Sequence, residues 1–320
     1  MTRFKQLFTA ALLAALAPFA TAQNFPNKPI RLIVAFPPGG GVDFLARQVA
    51  QKVGESVGQP VIVDNRVGGN TIVAAEFVAK APPDGYTLLH ALDFTMTQNP
   101  ALYLKLPYDP VKDFAPVAQL SSGMAILVTH SKAPFTSLKE LVAYAKANPG
   151  KLNFAASAVT TRLVGETLVS STGTNMVFVP YKGTVPMVQA LTAQEIDLVI
   201  DGTPVYVPHV KEGRMRALAV SGSSRYYALP DVPTTAEAGF PQLSHQNWIG
   251  WFAPAQTPQS IVARLNGEVG KALADPGVRE RLTNFGFQGK HSTPEELGSM
   301  LREDLARWAP IIKAAGIKPE

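Results

Sequence analysis

Short apolar runs alternate with amphipathic segments along almost the whole chain, and this alternation is the feature that most constrains the fold. The first unit consists of an apolar run at 30–36, a glycine-rich turn and a predicted helix over 42–57. Leu45, Val49 and Val53 lie four residues apart in that helix and form one apolar face. Similar units follow, which is typical of an α/β fold with mostly parallel sheets. With 320 residues, of which 46% are hydrophobic, the chain is long enough for two lobes.

The C-terminal region carries a clear helix signal. Thr293-Pro294-Glu295-Glu296 has the pattern of a capping box with proline at the first helical position. An apolar stripe follows at the spacing of a helix and predicts a packed terminal helix. Its members are Leu297, Leu301, Leu305, Trp308 and Ile312.

The glycine-rich turn at 36–43, FPPGGGVD, is the first candidate site. A dinucleotide-binding fingerprint would need its third glycine at Phe44, and a phosphate-binding P-loop would need Gly-Lys at 44–45. Nucleotide binding is therefore disfavoured. What remains is a strand-to-helix turn whose free backbone N–H groups and helix dipole attract negative charge, so a carboxylate fits there. A tight turn in which the glycines serve geometry alone explains the same residues equally well.

A second turn of similar type lies at 157–162. It also follows an apolar strand and opens a predicted helix, so the hydroxyl groups of Ser157, Thr160 and Thr161 are candidate ligand contacts from the opposite side. Hydroxyl residues at a helix start are also common N-caps. Arg162 by itself fits a solvated position in the first turn equally well, and both interpretations stay open.

The first 22 residues differ in composition from the rest. A short basic start is followed by a mostly apolar run at 7–20 and an Ala-x-Ala cleavage signal at 20–22. The run is shorter than the roughly 18 apolar residues of a membrane-spanning helix, and it contains Pro18. We therefore expect residues 1–22 to be a cleaved signal peptide and the mature protein to be exported, with the periplasm as its compartment in a Gram-negative source.

The composition of the chain excludes several classes of function. Cysteine is absent, which removes disulfides, thiolate metal sites and thiol nucleophiles. Without the two basic residues of the expected signal, 27 of the 29 basic residues remain against 24 acidic ones, a charge of +3. No basic run or aromatic-basic alternation accompanies it, so nucleic acid is not expected as a partner. The five histidines are dispersed, with no pair three or four residues apart, which disfavours a metal site.

Ordered blocks from about residue 25 to the C-terminus resemble the tripartite tricarboxylate transporter solute receptors, the Bug-type periplasmic binding proteins. The blocks include PNKPIRLIVAFPPGGGVDFLARQVA, GQPVIVDNRVGG, AKAPPDGYTLL, NPALYLKLPYDPVKDFAPV, VPYKG and AAGIKP. The resemblance implies a type II periplasmic-binding-protein fold, in which two α/β lobes enclose a ligand cleft. It places the first lobe at 24–124 plus 224–320 and the second at 125–223. It also implies a small carboxylate as ligand, the large and small integral membrane subunits of a permease as partners, a monomer, and neither cofactor, metal nor enzymatic activity.

Matched position by position, the resemblance assigns the ligand contacts to the turns at the strand ends. Backbone amides of the first turn would hold one carboxylate, and Phe36 would shape the wall. Asp201 matches a position that receives an amino group in relatives that bind amino acids, while a hydrogen bond within the second lobe is the other interpretation. The full set of expected contacts is Phe36, Gly39, Gly40, Gly41, Val42, Asp43, Thr95, Ser157, Thr160, Thr161, Arg162, Tyr181 and Asp201.

One block departs from the family pattern. In AASAVTTRLVGE the turn is shorter than usual and has no glycine before Gly165, and Arg162 occupies the position where relatives commonly have histidine. If Arg162 points into the cleft, a charge-assisted bond from its guanidinium favours a second carboxylate. The hypothesis at this stage is a dianionic ligand.

Two other functions remain open from the residues. A hydrolase site of Ser, His and Asp drawn from distant segments leaves no local motif, although neither G-x-S-x-G nor H-E-x-x-H is present. The same kind of receptor can also present its ligand-bound form to a membrane sensor kinase instead of a permease, because lobe closure serves both outputs.

Overall fold

The structure is a computed structural model that describes residues 25–314 except Ser157 and Lys182. The expected signal peptide at 1–22 lies outside the described residues, and so does the predicted contact Ser157. All structural statements below concern the described part of the chain.

Within this part, strands and helices alternate as the sequence pattern predicts. The strands are β1 (Ile30–Val34), β2 (Val61–Asn65), β3 (Thr87–Leu92), β4 (Phe114–His130), β5 (Asn153–Ala156), β6 (Val177–Pro180), β7 (Leu198–Gly202), β8 (Met215–Val220), β9 (Gln246–Pro254) and β10 (Gln288–Gly289). The helices are α1 (Gly41–Val57), α2 (Ile72–Ala79), α3 (Asp93–Thr97), α4 (Asn99–Leu102), α5 (Leu138–Ala147), α6 (Val159–Thr172), α7 (Thr184–Thr192), α8 (Thr203–Lys211), α9 (Gln259–Ala274), α10 (Pro276–Asn284) and α11 (Pro294–Ala314).

The described strands form one mixed sheet in the order β2-β1-β3-β9-β4-β7-β5-β6, with β8 and β10 also paired to β4. The outer strands β1, β2 and β3 are parallel, as are β5, β6 and β7. Strand β4 pairs with β9 and β10 over its first part and with β7 and β8 over its second part. It therefore connects two halves, each with its own parallel strands.

The first half has apolar cores on both faces of its sheet. On one face the predicted stripe of Leu45, Val49 and Val53 is fully buried and packs with Trp251. On the other face Trp248 packs beneath α11. Burying one aliphatic side chain such as Leu45 stabilises the folded state by roughly 1.5–3 kcal/mol. The stripe thus fixes α1 on the sheet and, with it, the position of the glycine turn at its start.

The second half also has cores on both faces of its sheet. Phe154, on β5, packs with Leu198 on one face, and Val199 packs with Ile126 on the other. The alternation of Leu198 and Val199 between the two cores follows the period of two in a strand. Because helices cover both faces, these strands read as continuous apolar runs.

The chain between β8 and β9 remains with the second half. Tyr226 and Val232 are buried in its core, and the N–H of Val220 donates to the carbonyl of Pro233 over 2.9 Å. The resemblance placed the return to the first lobe at about residue 224. In the structure the return comes later in the chain. The segment after β8 first pairs with the end of β8, where Val220 bridges to Thr234, and only β9 enters the first half.

Helix α11 begins and packs as predicted. The N–H of Glu296 donates to Thr293 Oγ1 over 3.1 Å, and the N–H of Thr293 donates to Glu296 Oε2 over 2.9 Å, which is a complete capping box. The stripe from Leu297 to Ile312 is buried except for Leu305, which is half-buried. The helix therefore lies across the sheet of the first half.

Candidate ligand-binding site

The parallel strands of the two halves end at edges that face each other. Leu92, at the end of β3, is level with Ser121 of β4, because both pair with Ile249. Gly202, at the end of β7, pairs with Ala125. Few residues of β4 thus separate the two sets of carboxyl ends. Open α/β sheets bind ligands beyond such ends, so the space between them is the candidate site.

Asp43 braces the glycine turn from inside. Its carboxylate accepts from the N–H of Gly39 at 2.9 Å, from Arg47 Nε at 2.8 Å and from Asn65 Nδ2 at 2.8 Å. Burial acts to raise the pKa of Asp43, but these hydrogen bonds outweigh it and lower the pKa to about 2. The side chain was expected among the ligand contacts. Its carboxylate instead belongs to the turn, and it uses the N–H of Gly39, which has φ of +85°.

The start of α1 leaves backbone N–H groups without an acceptor in the helix. Gly40 is the N-cap residue, with φ −78° and ψ 167°, and no side chain caps the helix. The first turn closes when Phe44 N–H donates to the carbonyl of Gly40 over 2.9 Å. The N–H groups of Gly41, Val42 and Asp43 precede that bond and have no intrahelical acceptor. Three donors at a helix N-terminus form a site suited to an anion.

Gly41 has a second role that its neighbours in sequence do not reveal. A Cβ at this position would lie 3.2 Å from the rings of Phe285 and Phe287. Phe285 also stacks on Phe44, with ring centroids 4.3 Å apart and planes 14° apart. Phe285 and Phe287 therefore form a wall beside the start of α1. The sequence analysis did not identify them, because they lie more than 240 positions after Gly41 in the chain.

The first-half contacts predicted near β3 lie within a packed network. Phe36 meets Phe94 edge to face, with centroids 6.3 Å apart. Thr95 is fully buried in the short helix α3, and its hydroxyl lies 2.9 Å from that of Thr71. The backbone carbonyl of Thr95 accepts from Tyr108. Its hydroxyl is thus engaged inside the first half.

On the other side, the second turn opens α6. Ala158 is the N-cap residue, and no side chain caps the helix. Thr161 Oγ1 donates to the carbonyl of Ala158 over 3.1 Å, whereas Thr160 Oγ1 donates to Gln98 Oε1 over 3.2 Å. The bond from Thr160 crosses between the halves, because Gln98 follows α3. Thr160 therefore lies where the two edges meet.

Arg162 is held within its own half. Its Nε donates to Glu166 Oε1 over 3.2 Å, and its guanidinium lies 4.5 Å from the centroid of the Phe178 ring. The side chain is 36% exposed. The guanidinium thus contacts its own helix and the edge strand β6. The hypothesis of a dianionic ligand bound by Arg162 stays a prediction, and in this structure the side chain is paired with Glu166.

Tyr181 and Asp201 lie at the ends of β6 and β7. Tyr181 is half-buried and packs onto the second-half core. Asp201 is buried, and Tyr206 donates its hydroxyl to Asp201 Oδ2 over 3.2 Å. Burial, and then the Asp201 carboxylate, raise the pKa of Tyr206, so the phenol stays protonated. At least one oxygen of Asp201 thus serves its own half.

A cavity of about 260 Å³ lies between the facing edges. It is bounded by β4 at 121–124, by the starts of α7 and α8, and by the segment before β10. Its walls include Ser122, Asn247, Thr184, Gly202, Phe285 and Phe287. None of the described contacts predicted above lines it, although Thr184 and Gly202 directly follow the predicted Tyr181-Lys-Gly and Asp201 positions. The interruption of an apolar strand by Ser121-Ser122-Gly123 was the signal available in the sequence.

The two halves touch on both sides of this cavity. On one side Leu163 of α6 packs with Leu102, Trp308 and Ile312 of the first half. On the other, Tyr227 donates its hydroxyl to the carbonyl of Thr283 over 3.3 Å. The two halves are thus in contact with each other on either side of the space between the edges.

Two classes of site are not represented within the described ranges. No group of three or more histidine or acidic side chains there has the geometry to hold a metal ion. Among the helices of the described part, none has the length and apolarity needed to cross a membrane.

Comparison with known proteins identifies the family. The model of the tripartite tricarboxylate transporter family receptor matches residues 45–317. The chain belongs to this family. It is 38% identical, over 90% of its length and 86% of the relative's, to a UPF0065 protein encoded in the tcbD-tcbE intergenic region of Pseudomonas sp. (strain P51).

Solved structures of the same type are similar throughout. The adipate-bound Rpa4515 of R. palustris has a TM-score of 0.77 and 34% identity, and the match covers 92% of this chain and 100% of that one. The malate-bound MatC of Rhodopseudomonas palustris has a TM-score of 0.73 and 34% identity, with 90% and 100% covered. The chain is therefore a solute-binding receptor with the α/β periplasmic-binding-protein fold, and not an enzyme, as the resemblance implied.

Proposed function

We propose that this receptor binds a small carboxylate in the periplasm, between two lobes, and delivers it to a permease made of one large and one small integral membrane subunit. The signal peptide at 1–22 and a monomeric state are parts of the same proposal. So are lobe boundaries of 25–124 plus 246–314 for the first lobe and 125–245 for the second, which the packing of the segment after β8 onto the second half supports.

The observation that carries the proposal is the set of helix N-termini at the facing edges. Helices α1, α6, α7 and α8 all begin there, and none of them has a side-chain cap. Their N-cap residues are Gly40, Ala158, Gly183 and Gly202, which offer no side-chain acceptor. Uncapped N–H groups and aligned helix dipoles from both lobes favour an anion held by backbone donors.

The known ligands of relatives agree with an anion of this kind. Rpa4515 is described with adipate and MatC with malate, both carboxylates. A carboxylate has two oxygens that each accept several hydrogen bonds. One oxygen can therefore take donors from α1 while the second lobe closes on the other.

The binding free energy also depends on how well the closed lobes satisfy the oxygens of the anion. When the lobes close, the anion leaves water, and every oxygen without a donor then carries a desolvation cost of roughly 1–3 kcal/mol or more. The closed contacts of α6 with the first lobe, including Thr160 on Gln98, hold the donors in place. We propose the backbone N–H groups of Gly41, Val42 and Asp43 as the primary contacts. Phe36, Thr160 and Tyr181 lie around them, and the carboxylate of Asp43 with the N–H of Gly39 forms the internal brace.

Thermal unfolding of residues 23–320 tests the proposal directly. The panel contains acetate, benzoate, malate, adipate and citrate, each paired with the corresponding neutral amide at equal concentration. A ligand at a hundred times its dissociation constant adds about 2.7 kcal/mol, which raises the midpoint by several degrees. A selective shift by an acid without a shift by its amide supports the proposal. Equal shifts by acids and amides, or no shift by any acid up to millimolar concentrations, contradict it.

A further inference from the structure

The cavity between the facing edges has no charged side chain among the described residues that line it. The apolar part of its wall comes from both halves and includes Met124, Tyr226, Phe285 and Phe287. The uncapped starts of α7 and α8 offer backbone donors here, but a second carboxylate would add a like charge close to the first with no cationic side chain among the described lining residues. Burying such an uncompensated charge is strongly unfavourable. The nearest candidate on the α6 side, Arg162, is paired with Glu166.

The aromatic wall is flat and adjoins the carboxylate turn. Phe44, Phe285 and Phe287 have nearly parallel rings, with successive planes 14° and 12° apart and centroids 4.3 and 6.1 Å apart. Phe285 is 47% exposed, so part of its ring is free to contact a ligand. Phe285 and Phe287 also pack on Gly41, whose N–H is one of the open donors. The ring wall and the anion site are therefore neighbours.

The opposite wall provides room. At Gly202 the backbone has φ −60° and ψ 128°, which any residue adopts, yet a Cβ there would meet nothing within 4 Å. The neutral polar groups of Ser122 and Asn247 line the floor. They can accept from or donate to a hydroxyl or carbonyl substituent without any charge on the ligand body.

From these features we infer that the cavity holds the body of the ligand and selects an aromatic monocarboxylate that carries neutral substituents only. The inference rests on the proposed function, because the carboxylate itself is assigned to the start of α1. Planar rings stack in offset or edge-to-face contact with Phe285 and Phe287, and such contacts add to plain burial of area. An aliphatic dicarboxylate cannot use this wall.

Calorimetric titration with benzoate, cyclohexanecarboxylate and adipate tests the inference. Benzoate and cyclohexanecarboxylate have the same number of carbons and one carboxylate each, and differ in planarity. We expect benzoate to bind at least about tenfold more tightly than either of the other two. Phe285→Leu keeps an apolar side chain at a half-exposed position and should reduce the preference for benzoate over cyclohexanecarboxylate to less than about twofold.

A second variant tests the cavity itself. Gly202→Leu fills the space without a backbone clash and should weaken benzoate at least about thirtyfold, while Gly267→Leu serves as the control. Gly267 is exposed on α9, and a Cβ there also meets nothing within 4 Å. Adipate binding more tightly than benzoate, or benzoate affinity unchanged in Gly202→Leu, overturns the inference and leaves the carboxylate receptor intact. Binding of none of the three acids overturns both.

Discussion

The helix N-termini of this receptor fall into two groups. At the facing edges, α1, α6, α7 and α8 begin without a side-chain cap. Away from them, α5, α10 and α11 begin with Ser137, Asp275 and Thr293, whose side chains accept from the backbone N–H three residues on. Two of the described helices of eight residues or more depart from this division, α2 after Thr71 and α9 after Pro258, which also begin without a side-chain cap.

The proposed function gives this difference a physical reason. A side-chain cap contributes about 1 kcal/mol and is easily encoded by Ser, Thr or Asp. The four neighbouring helix starts lack this stabilisation, because they have no such cap. Their first N–H groups therefore stay open to another acceptor. In α5, α10 and α11 the same kind of donor is bound to a capping side chain and stabilises the fold. On the proposed function, one chemical group therefore serves binding in one region and stability in the other.

Capping an open terminus should have the largest effect. In Gly40→Asp the backbone already has N-cap angles, and the nearest heavy atom to a Cβ is Pro37 O at 3.8 Å. The new carboxylate occupies the donors and repels an anion, so carboxylate affinity should fall at least about 100-fold, or about 2.7 kcal/mol. Titration calorimetry with benzoate and adipate measures the loss. Gly40→Ala is the steric control, and equal affinities of the Asp and Ala variants would show that these donors do not bind the ligand.

Asp43 provides a pH test of the turn that keeps α1 open. Its folded pKa of about 2 lies below the ordinary 3.8, so the stabilisation is complete above pH 3.8 and is lost as the pH falls toward 2. The shift corresponds to about 2 kcal/mol at pH 7, of which about 1 kcal/mol is lost by pH 3. Urea unfolding of the wild type and Asp43→Asn at pH 7 and pH 3 measures this difference. A gap between the two proteins that is independent of pH would mean that the carboxylate does not stabilise the turn.

Removing a distal cap should change stability alone. Thr293→Ala deletes the acceptor for the N–H of Glu296 and should cost about 1 kcal/mol in unfolding free energy. Benzoate and adipate affinities should stay within twofold of the wild type. Ser137→Ala, at the start of α5, is a second case of the same kind. A change in affinity beyond fivefold in either variant would end the division between binding and stabilising termini.

Arg162 should give the smallest effect. Its bond to Glu166 is a half-exposed pair four residues apart on one helix, and such pairs contribute about 0.3–0.5 kcal/mol. Arg162→Gln should therefore lower stability only slightly and leave the ratio of adipate to monomethyl adipate affinity unchanged. Titration with both compounds checks this. A large loss of discrimination would restore the hypothesis that Arg162 binds a second carboxylate.

Local sequence patterns predicted most of the secondary structure. The stripe from Leu45 to Val53 predicted α1 to within one residue of Gly41–Val57, and the Thr293 capping box predicted the start of α11. These patterns depend on neighbours one to four positions away, and the sequence shows such neighbours directly. The family blocks then predicted the fold class and the receptor function, which the family match confirms.

The direction of the side chains in the site could not be predicted from the sequence, because it depends on partners that are far away along the chain. Thr95 turns toward Thr71, and Gly41 is constrained by Phe285 and Phe287. Arg162 differs from these residues, because its partner Glu166 is only four residues away in the sequence. Even so, the sequence does not show whether Arg162 pairs with Glu166 or with a group of the other lobe. Hydrogen-bonding side chains choose between several nearby partners, and only packing decides which of these are present.

By itself the sequence determined the alternation of strands and helices, the cap of the terminal helix α11 and the membership of the receptor family, because each is written in local spacing or in ordered blocks. The tertiary structure decided which helix starts face each other, where the chain returns from the second half to the first, and what surrounds the cavity. These depend on the register of β4 with β7 and β9, which pairs Gly202 with Ala125 and Ile249 with Ser121 on the same strand. No single segment encodes this arrangement, because it forms only when strands from three distant parts of the chain pair with one another.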